Sequence, residues 1–379
     1  MDSNCPADWV ALTLLPQVGA LYQRLALARF GVPGEIAYHV PVEELARLPR
    51  FPAAGVDAIR RARPSLRRRA EREVRRCARW GIRLISCRDD DYPAALAEIP
   101  DPPVLLYQRG TLAPGVLRIA VIGSRVPTRY GRQLATGIAS GLAARGVEIV
   151  SGGARGIDSL AHRGALEGDG RTVCVLGSGL LRPYPEENAD LFERIAEDGA
   201  LISEFALDTP PLGPNFLRRN RLISGLSAAV VVVEATIRSG SQNTASHALD
   251  QGREVMAVPG PVTSRRSDGC HRLIQQGAKL VQNIEDILEE LPPLYRVGLA
   301  GSGDSKQAYS LDNLTAEEAE LIKLLDEIEP LHLDELADRT LFGIAQLQEA
   351  LFALEVRGAV DQDPGGYYLL RPRTPRKED

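Results

Sequence analysis

Several familiar site patterns are missing from this sequence of 379 residues. It contains no GxxxxGK[ST] phosphate-binding loop, and no GxGxxG follows its first predicted glycine-terminated strand. The GxSxG of a serine hydrolase and the HExxH of a zinc protease are absent as well. These absences argue against ATP or NAD turnover. The sequence therefore predicts no cofactor, no catalytic residue and no metal site.

Paired cysteines and long apolar runs are also lacking. The spacing of the five cysteines gives no CxxC pair and no set of metal ligands, so reduced thiols are expected. No basic-then-apolar signal stands at the N-terminus, and no apolar run approaches the ~18 residues that span a bilayer. We therefore expect a soluble, cytoplasmic protein without a membrane partner.

Basic residues are outnumbered by acidic residues, 45 to 50, but many of them are concentrated in one segment. The formal net charge is −5 at pH 7, which excludes a uniformly basic nucleic-acid binder. Residues 47–83 nevertheless contain thirteen arginines against three acids, and residues 311–372 contain fourteen acids against four basic residues. The two ends of the chain are thus expected to meet different partners.

Between residues 117 and 179 apolar runs alternate with amphipathic stretches. The runs RIAVIG, VEIVSGG and TVCVLGSG each end in a glycine-containing segment, and stretches of helical length lie between them at 129–145 and 157–167. Fully apolar strands that alternate with helices predict a parallel sheet covered on both faces. Further apolar runs near residues 200–205, 228–234 and 255–259 extend the pattern. The predicted fold class is α/β, with an extended, Rossmann-like parallel sheet.

Two glycine loops at predicted strand ends are candidates for a ligand site. They are Gly123-Ser124-Arg125 and the SGGARG segment at 151–156. Ligands of such sheets bind beyond the carboxyl ends of the strands. Glycine permits close backbone approach, the following helix N-terminus supplies N–H donors, and an arginine in each loop offers a planar fork for phosphate. The loops therefore predict an anion site, in particular for a phosphate ester.

The first 64 residues are predicted to form a separate bundle of short helices. A turn at residues 16–19 (PQVG) is similar to the hairpin of helix-hairpin-helix units, which hold DNA phosphates, although packing is the alternative role. Residues 65–80 predict a basic helix whose few apolar positions, such as Leu66, Ala70 and Cys77, fall at helical spacing. Its arginines form either a solvated face or a nucleic-acid contact.

The C-terminal part predicts a linker, a small domain and a tail. Residues 296–312 are a Gly/Ser-rich linker, residues 313–372 predict three helices and a hairpin in a winged-helix pattern, and 373–379 form the tail. Thr315 and Glu318 predict a capping box. The third helix reads DNA in such folds, but here it carries Glu349, Glu355 and only Arg357. We therefore favour a protein-docking module or a degenerate winged helix over DNA readout.

Four side chains near these loops could serve either catalysis or loop support. Asp158 and His162 lie four residues apart on a predicted helix and share a face, which would suit an acid/base pair. Glu204 and Glu234 stand at strand ends. We favour the role of loop support, in which the carboxylates accept hydrogen bonds from loop N–H groups and the histidine makes a hydrogen bond behind the loop.

Several segments together form one specific set of motifs. They include GSRxxTxYG at 123–131, SGGARGIDSLAH at 151–162, RNRLISGLS at 219–227 and SGSQNTA at 239–245. VLGSGL with YPEEN, the Ser203-Glu204 pair, VVEA and QGREVMAVPG complete it. This set resembles the DprA/Smf family of bacterial DNA-processing proteins over roughly residues 82–288. Leu217, where proline is expected, and Gly153, where a larger apolar residue is commoner, are mild departures.

The resemblance implies a Rossmann-like core at residues 65–295 that binds single-stranded DNA without sequence preference. It also implies transfer of the strand to a RecA-type recombinase in transformation or recombination, homodimerisation and no enzymatic activity. Single-strand-binding protein is a further candidate partner. The N-terminal bundle is similar to the SAM/HhH-like domain of family members, and the C-terminal domain to their appended winged helix.

The candidate contacts of the strand come from several loops, with four arginines predicted to line one groove and a tyrosine as a stacking surface. These DNA-binding candidates are Gly123, Ser124, Arg125, Thr128, Tyr130, Gly131, Ser151, Gly152, Gly153, Arg155, Gly156, Arg219, Asn220, Arg221, Ser239, Gly240, Ser241 and Thr244. The loop-supporting candidates are Asp158, His162, Glu204 and Glu234.

Two other functional classes compete with this hypothesis. Nucleotide phosphoribohydrolases of the lysine-decarboxylase-like (LOG) group share the Rossmann plan and carry a PGGxGTxxE loop after the central strand. The corresponding loop here is SGSQNTASHA, where His247 stands at the position of the catalytic glutamate. A DNA-binding regulator that works through the winged helix is the third class, and the acidity of that domain weakens it.

Overall fold

A computed structural model describes residues 5–49, 51–291, 314–326, 330–340, 342–356, 359–363 and 365–370. The chain divides into two compact units, Met1–Gly303 and Asp304–Asp379. The linker predicted at 296–312 and the tail predicted at 373–379 lie outside the described residues. Within the described ranges, no helix combines the length and the apolar character needed to cross a bilayer.

The first unit begins with helices around a small apolar core. Trp9 and Leu12 are fully buried in that core, together with Ile36 from a π-helical turn at Glu35–His39. The chain turns between the first two helices at residues 14–19, where Gln17 adopts a φ of 63°. The helices are α1 (Pro6–Thr13), α2 (Ala20–Phe30), α3 (Val42–Ala46) and α4 (Ala53–Arg79).

Helix α4 is one element of 27 residues, where the sequence predicts two helices with a domain boundary between residues 64 and 65. That boundary falls inside α4, so the prediction of two separate helices is wrong. A proline inside a helix costs about 3 kcal/mol because it removes a donor and crowds the preceding turn. The helix continues through Pro64 because Ile59, Leu66 and Ala70, on both sides of it, are fully buried.

The strands of the first unit form one mostly parallel sheet, which confirms the predicted fold class. Its order is β1-β2-β6-β5-β4-β3-β7-β8-β9. Strand β2 is antiparallel to both of its neighbours, β1 and β6, and the other neighbouring pairs among these strands are parallel. The bounds are β1 (Arg83–Ser86), β2 (Leu105–Gly110), β3 (Arg118–Ile122), β4 (Glu148–Ser151), β5 (Thr172–Val175), β6 (Ala200–Ser203), β7 (Ala229–Val232), β8 (Glu254–Ala257) and β9 (Lys279–Leu280).

Helices cover both faces of this sheet, as its apolar strands require. Alternate residues of β3 face opposite layers: Ile119 and Val121 belong to one apolar cluster, and Ala120 and Ile122 to another. The N-terminal helices share a third cluster with Tyr107 of β2. The covering helices are α5 (Ala94–Ala97), α6 (Arg129–Ala143), α7 (Ile157–Glu167), α8 (Ala189–Asp198), α9 (Gly213–Gly225), α10 (Gly240–Asp250), α11 (Asp268–Gln275) and α12 (Ile284–Glu289), with a 3₁₀ turn at Glu186–Asn188.

The strand order creates a crevice beside β3. From β3 the chain proceeds outward through β4 and β5 to β6, and then returns to β7 on the other side of β3. The connections after β3 and β7 therefore leave in different directions, and a gap opens at the carboxyl ends of these two strands. Such switch points are where open α/β sheets bind their ligands.

The second unit has the predicted winged-helix pattern. It comprises α13 (Ala316–Leu324), β10 (Leu331–His332), α14 (Leu333–Arg339), α15 (Ile344–Val356), β11 (Val360–Asp363) and β12 (Tyr367–Leu370). Its antiparallel sheet has the order β10-β12-β11. The predicted capping box is present at α13, where Thr315 N donates to Glu318 at 2.9 Å. Glu349 and Glu355 are exposed on α15, and Arg357 lies outside the described residues.

Candidate functional site

A cleft of about 870 Å³ lies at the switch point beside β3. Its walls come from the loops after β3, β4, β7 and β8 and from the N-terminal half of α9. Ten of the predicted site residues line it: Gly123, Ser124, Arg125, Asp158, Arg219, Asn220, Ser239, Gly240, Ser241 and Thr244. The structure thus brings together the Gly123-Ser124-Arg125 loop, part of the RNR segment on α9 and the SGSQNTA segment at 239–245, with only the edge of the SGGARG loop.

The β3 and β4 loops hold each other in place at the base of the cleft. Ser124 accepts a hydrogen bond from Ile157 N at 3.0 Å. Gly156 has a φ of 79°, and a Cβ at this position would overlap the backbone of Ser124 and Arg125. Only glycine fits there, because other residues avoid this backbone region and the neighbouring loop leaves no space. Gly156 therefore shapes the site without lining it.

Arg125 is the exposed cation of the cleft. Its guanidinium carbon lies 5.9 Å from the ring centroid of Phe216. Within the described residues it forms no ion pair or hydrogen bond, and in particular none with Asp158 or Glu234. A guanidinium that is exposed, unpaired and stacked beside a ring remains available to an anion.

Arg219 supplies a second positive charge at the floor of the cleft. Its side chain is buried, and Nη1 donates to Gly152 O at 2.6 Å and to Val175 O. Burial lowers the pKa of Arg219, and the nearby Asp158 opposes that effect. A Cβ on Gly152 would lie 2.7 Å from Nη2, so a side chain at this position would displace the guanidinium from the loop. Its Nε finds no partner among the described residues, which leaves the buried cation incompletely compensated.

Arg221 does not line the cleft, so this part of the predicted groove is wrong. It is buried and makes a bidentate ion pair with Glu204, at 2.8 and 2.9 Å, and a third contact from Nε to Asp101 at 2.8 Å. Residues two apart on a helix point to opposite sides. Because Arg219 faces the cleft, Arg221 must face away from it. Arg218 also bonds Glu204, at 3.0 Å.

The predicted contacts at the start of α6 support the loop instead of lining the cleft. Glu234 accepts hydrogen bonds from Thr128 N at 2.9 Å and from the Thr128 hydroxyl, which in turn accepts from Gly131 N at 3.1 Å. Tyr130 donates to Pro259 O at 2.8 Å, and its ring packs on the apolar layer under α6. Tyr130 is therefore outside the cleft, contrary to its predicted role as a stacking surface there.

His162 is sealed in the interior, away from the cleft. Its Nδ1 lies 2.7 Å from Thr172 Oγ1, which donates to Ile149 O, so Nδ1 carries the proton. Burial and the nearby Arg219 lower the pKa of His162 to about 3. Burial also raises the pKa of Asp158, which accepts a hydrogen bond from Ala154 N at 3.3 Å. A buried imidazole that is neutral near pH 7 cannot exchange protons with a ligand in the cleft, so the two are not an acid/base pair.

The remaining residues of the SGGARG loop lie behind or beside the cleft. Ser151 is buried and donates to Val121 O at 2.7 Å. Gly153 packs against Cys174 and Phe192. Arg155 is exposed, pairs with Glu187 at 2.8 Å and stacks over Tyr184. Ala154 of this loop and Asp158 of α7 reach the cleft wall, and the glycines give the loop its shape.

The N-terminus of α10 forms the wall opposite β3. Ser239, Gly240, Ser241 and Thr244 lie there, and the two serine hydroxyls are 2.6 Å apart. Asn220 donates to Gly240 O at 3.3 Å and thereby links α9 to this end of α10. The first N–H groups of a helix have no partner within it, and they attract negative charge. This wall therefore offers uncharged donors opposite the two arginines.

Sequence reasoning missed the aromatic part of the site. Phe216 lines the cleft between Arg125 and Arg219, each of which lies 5.9 Å from its ring centroid. Tyr184 continues this surface outward, with its ring centroid 5.9 Å from that of Phe216. The spacing in the sequence could have revealed this residue, because Phe216 stands one helical turn before Arg219 and the two side chains therefore share a face. Arg266, from the loop after β8, also lines the cleft.

Within the described ranges, no group of three or more His, Cys, Asp and Glu side chains is arranged so that it could hold a metal ion. The cleft instead combines cations, helix N–H groups and an aromatic ring. That composition suits a ligand that carries both phosphates and planar bases.

Comparison with known proteins identifies matching families over both units. Residues 83–292 match the family of DNA recombination-mediator protein A, and residues 305–366 match the DprA winged helix domain. Protein Smf of Escherichia coli is 43% identical over 295 residues, which cover 76% of this chain and 77% of that protein.

Two solved structures show the same resemblance. The X-ray structure of DNA processing protein A from Streptococcus pneumoniae aligns with a TM-score of 0.64 and 34% identity, over 75% of this chain and 96% of that one. The Helicobacter pylori protein, whose structure concerns its single-stranded DNA binding mode, aligns with a TM-score of 0.50 and 33% identity, over 55% and 94% of the two chains.

Proposed function

Because the chain belongs to the DNA recombination-mediator protein A family, also named DprA/Smf, we propose that it binds single-stranded DNA in the cleft beside β3. Binding of single-stranded DNA is the stated subject of the Helicobacter pylori relative's structure. In this chain the strand would lie with phosphates near Arg125 and the N-terminus of α10, and with a base against Phe216.

One observation carries this proposal: Phe216 stands between two guanidinium groups at the carboxyl ends of the strands. Stacking on an aromatic ring is possible for every base, and arginine attracts every phosphate. Neither contact reads the edge of a base, which is where sequence is distinguished. The strand would therefore be bound without sequence preference.

The name of the family extends the proposal to recombination. A protein that holds single strands in a shallow cleft can present them to a recombinase. We assign this chain the transfer of single-stranded DNA to a RecA-type recombinase in the cytoplasm, acting as a homodimer, with single-strand-binding protein as a further candidate partner. No catalytic step is assigned to it.

The phosphoribohydrolase alternative receives no support from the loop after β7. His247 stands where that group has its catalytic glutamate, and it is half-buried on α10. The nearby carboxylates are engaged elsewhere, since Glu234 holds Thr128 and Glu204 holds Arg221.

The direct experiment is an anisotropy titration of the full chain with single-stranded and duplex oligonucleotides at two salt concentrations. We expect tighter binding of the single strand, similar for unrelated sequences, and weaker binding at the higher salt. Equal or tighter binding of the duplex contradicts the proposal. Release of free base from nucleoside monophosphates, assayed in parallel, would move the chain to the phosphoribohydrolase class.

A further inference from the structure

Helix α4 carries a row of exposed arginines that are not part of the cleft lining. Arg68, Arg72, Arg75 and Arg79 are all exposed on α4. At about 100° per residue they lie within about 60° of one another, and they extend over about 17 Å. We call these four residues the arginine stripe. No ion pair or hydrogen bond of theirs occurs among the described residues.

The acids of α4 do not neutralise this stripe. Glu73 is buried and accepts a hydrogen bond from Leu207 N at 2.7 Å, and Asp57 is bonded to Arg60 at 3.2 Å. Glu71 lies about 40° from Arg75, the nearest residue of the stripe, but it is half-buried and forms no ion pair with the stripe among the described residues. Neighbours of like charge three or four residues apart destabilise a helix. The stripe thus lowers the stability of α4, and a polyanion that binds there would relieve the repulsion.

The stripe is connected to the edge of the sheet at which the cleft opens. Arg76, next to the stripe, bonds Asp208 at 2.8 Å. Asp208 lies in the loop between β6 and α9, which leads directly into the cleft residues around Phe216. Because β6 is parallel to β3, this loop stands at the same carboxyl edge of the sheet.

A second loop joins the stripe to the aromatic surface. Leu181 N donates to Leu207 O at 3.1 Å, so the loop after β5 lies against the loop that carries Asp208. Arg182 and Arg72 both act on the Asp208 carboxylate, whose pKa is lowered chiefly by its hydrogen bond with Arg76. Two residues further along, Tyr184 lies beside Phe216. Cations and rings therefore continue from the cleft over Tyr184 and Arg182 to the stripe.

We propose that the arginine stripe of α4 is a second contact surface for single-stranded DNA, which it receives where the strand leaves the cleft past Tyr184. This inference rests on the proposed function of the cleft. It assigns phosphate contacts to the stripe, because exposed arginines without an interleaved aromatic ring on their own face offer charge and no stacking surface. Short strands would occupy the cleft alone, and longer ones would also reach α4.

The test compares a stripe variant with a matched control. Arg72→Gln/Arg75→Gln removes two charges, and glutamine keeps a helical preference close to that of arginine. The control, Arg163→Gln/Arg194→Gln, removes two exposed arginines that belong to α7 and α8 and not to α4. Each full-length variant is titrated with single strands of about 6 and about 25 nucleotides over a range of salt. Circular dichroism melting checks that both variants fold.

The salt slope is the slope of the logarithm of the binding constant against the logarithm of the salt concentration. For the longer strand we expect the magnitude of this slope to be smaller by roughly 1.4 in the stripe variant, because two phosphate contacts are lost at about 0.7 each. A fourfold rise in salt concentration should then reduce the ratio of the wild-type affinity to the variant affinity about sevenfold. The short strand should bind the stripe variant and the wild type alike, and the control should match the wild type with both strands.

The proposal is wrong if the stripe variant binds the longer strand with the salt slope of the wild type. It is also wrong if the control variant loses as much salt slope as the stripe variant does. Polyglutamate that binds the wild type but not the stripe variant, with the DNA slope unchanged, would assign the surface to an acidic protein instead. Arg125→Ala with the short strand tests the cleft separately. If that variant binds normally, the proposed function fails whatever the stripe does.

Discussion

At the scale of single residues, Arg125 and Arg219 show how differently the same side chain can act in one cleft. Arg219 is buried, with two backbone carbonyls as acceptors, so its charge is part of the folded structure. Arg125 is exposed and has no ion pair among the described residues. Substitution of Arg125 should therefore affect ligand binding without affecting stability.

For Arg125→Ala we expect the salt slope of single-strand binding to fall by roughly 0.7, because one phosphate contact is lost. The loss should be similar for unrelated sequences, because phosphate contacts carry no sequence information. The melting temperature should stay at the wild-type value. Arg163→Ala, an exposed arginine on α7, is the control. An earlier melting transition with an unchanged slope would instead mean that Arg125 braces the loops.

Phe216→Ala separates stacking from charge in the same cleft. It should weaken binding by about 1–3 kcal/mol, the usual contribution of one base stacked on an aromatic side chain. The salt slope should remain that of the wild type, because no charge is removed. Phe216→Tyr keeps a ring and should bind nearly normally. A change of slope in Phe216→Ala, measured by the same titrations, would contradict a purely stacking role.

His162 predicts a pH dependence of stability. Its pKa is about 3 in the folded protein, because of burial and Arg219, against about 6.5 in an unfolded chain. Between these values the unfolded state binds one proton more, so stability falls as pH falls below about 6.5. The amide of His162→Asn can still bond Thr172 but does not titrate.

Urea unfolding of His162→Asn and the wild type from pH 7.5 to 5 measures this effect. The wild type should lose up to about 1.4 kcal/mol more per pH unit in the lower part of that range. Parallel curves for the two proteins would show that the histidine is not buried in its neutral form.

At the scale of elements, α9 carries two functions on opposite sides. Phe216 and Arg219 face the cleft, whereas Arg221 is fixed to Glu204 and Asp101 in the interior. The arginine on the interior side holds the helix, and the helix in turn positions the residues of the cleft.

Arg221→Ala should therefore destabilise the protein by about 3–5 kcal/mol, because it leaves Glu204 charged and buried with one partner fewer. The double variant Arg221→Met/Glu204→Leu removes both charges and should recover most of that loss. Chemical denaturation of the three proteins gives the comparison. If Arg221→Ala instead keeps its stability and loses single-strand binding, Arg221 contacts the strand after all.

The same helix shows what the sequence could and could not predict. The alternation of glycine-terminated apolar runs correctly predicted a parallel sheet, and ten of the predicted residues line one cleft. A shared motif, RNR, could not separate Arg219 from Arg221, because the orientation of α9 depends on packing with distant elements. Helix α4 was divided at Pro64 for a similar reason: the local cost of proline was visible, and the compensating burial of Ile59 and Leu66 was not.

At the scale of the whole molecule, charge is segregated between the two units. The chain has a net charge of −5, yet thirteen arginines stand in residues 47–83 of the first unit. The winged-helix segment at 311–372 contains fourteen acids and four basic residues. A polyanion should therefore meet the first unit, and the acidic unit should repel it or bind a different partner.

Removal of the second unit tests this division. A chain that ends in the segment 301–305 should bind single strands with nearly the affinity and salt slope of the full chain, because acids outnumber basic residues by fourteen to four at 311–372 and few phosphate contacts are lost. Its folding is checked by circular dichroism, and its affinity by anisotropy at two salt concentrations. Tighter binding at low salt alone would mean that the acidic unit opposes DNA by its charge, a long-range effect that salt screens. A loss of tenfold or more would contradict the division, since it would require the acidic second unit to contact a strand of like charge.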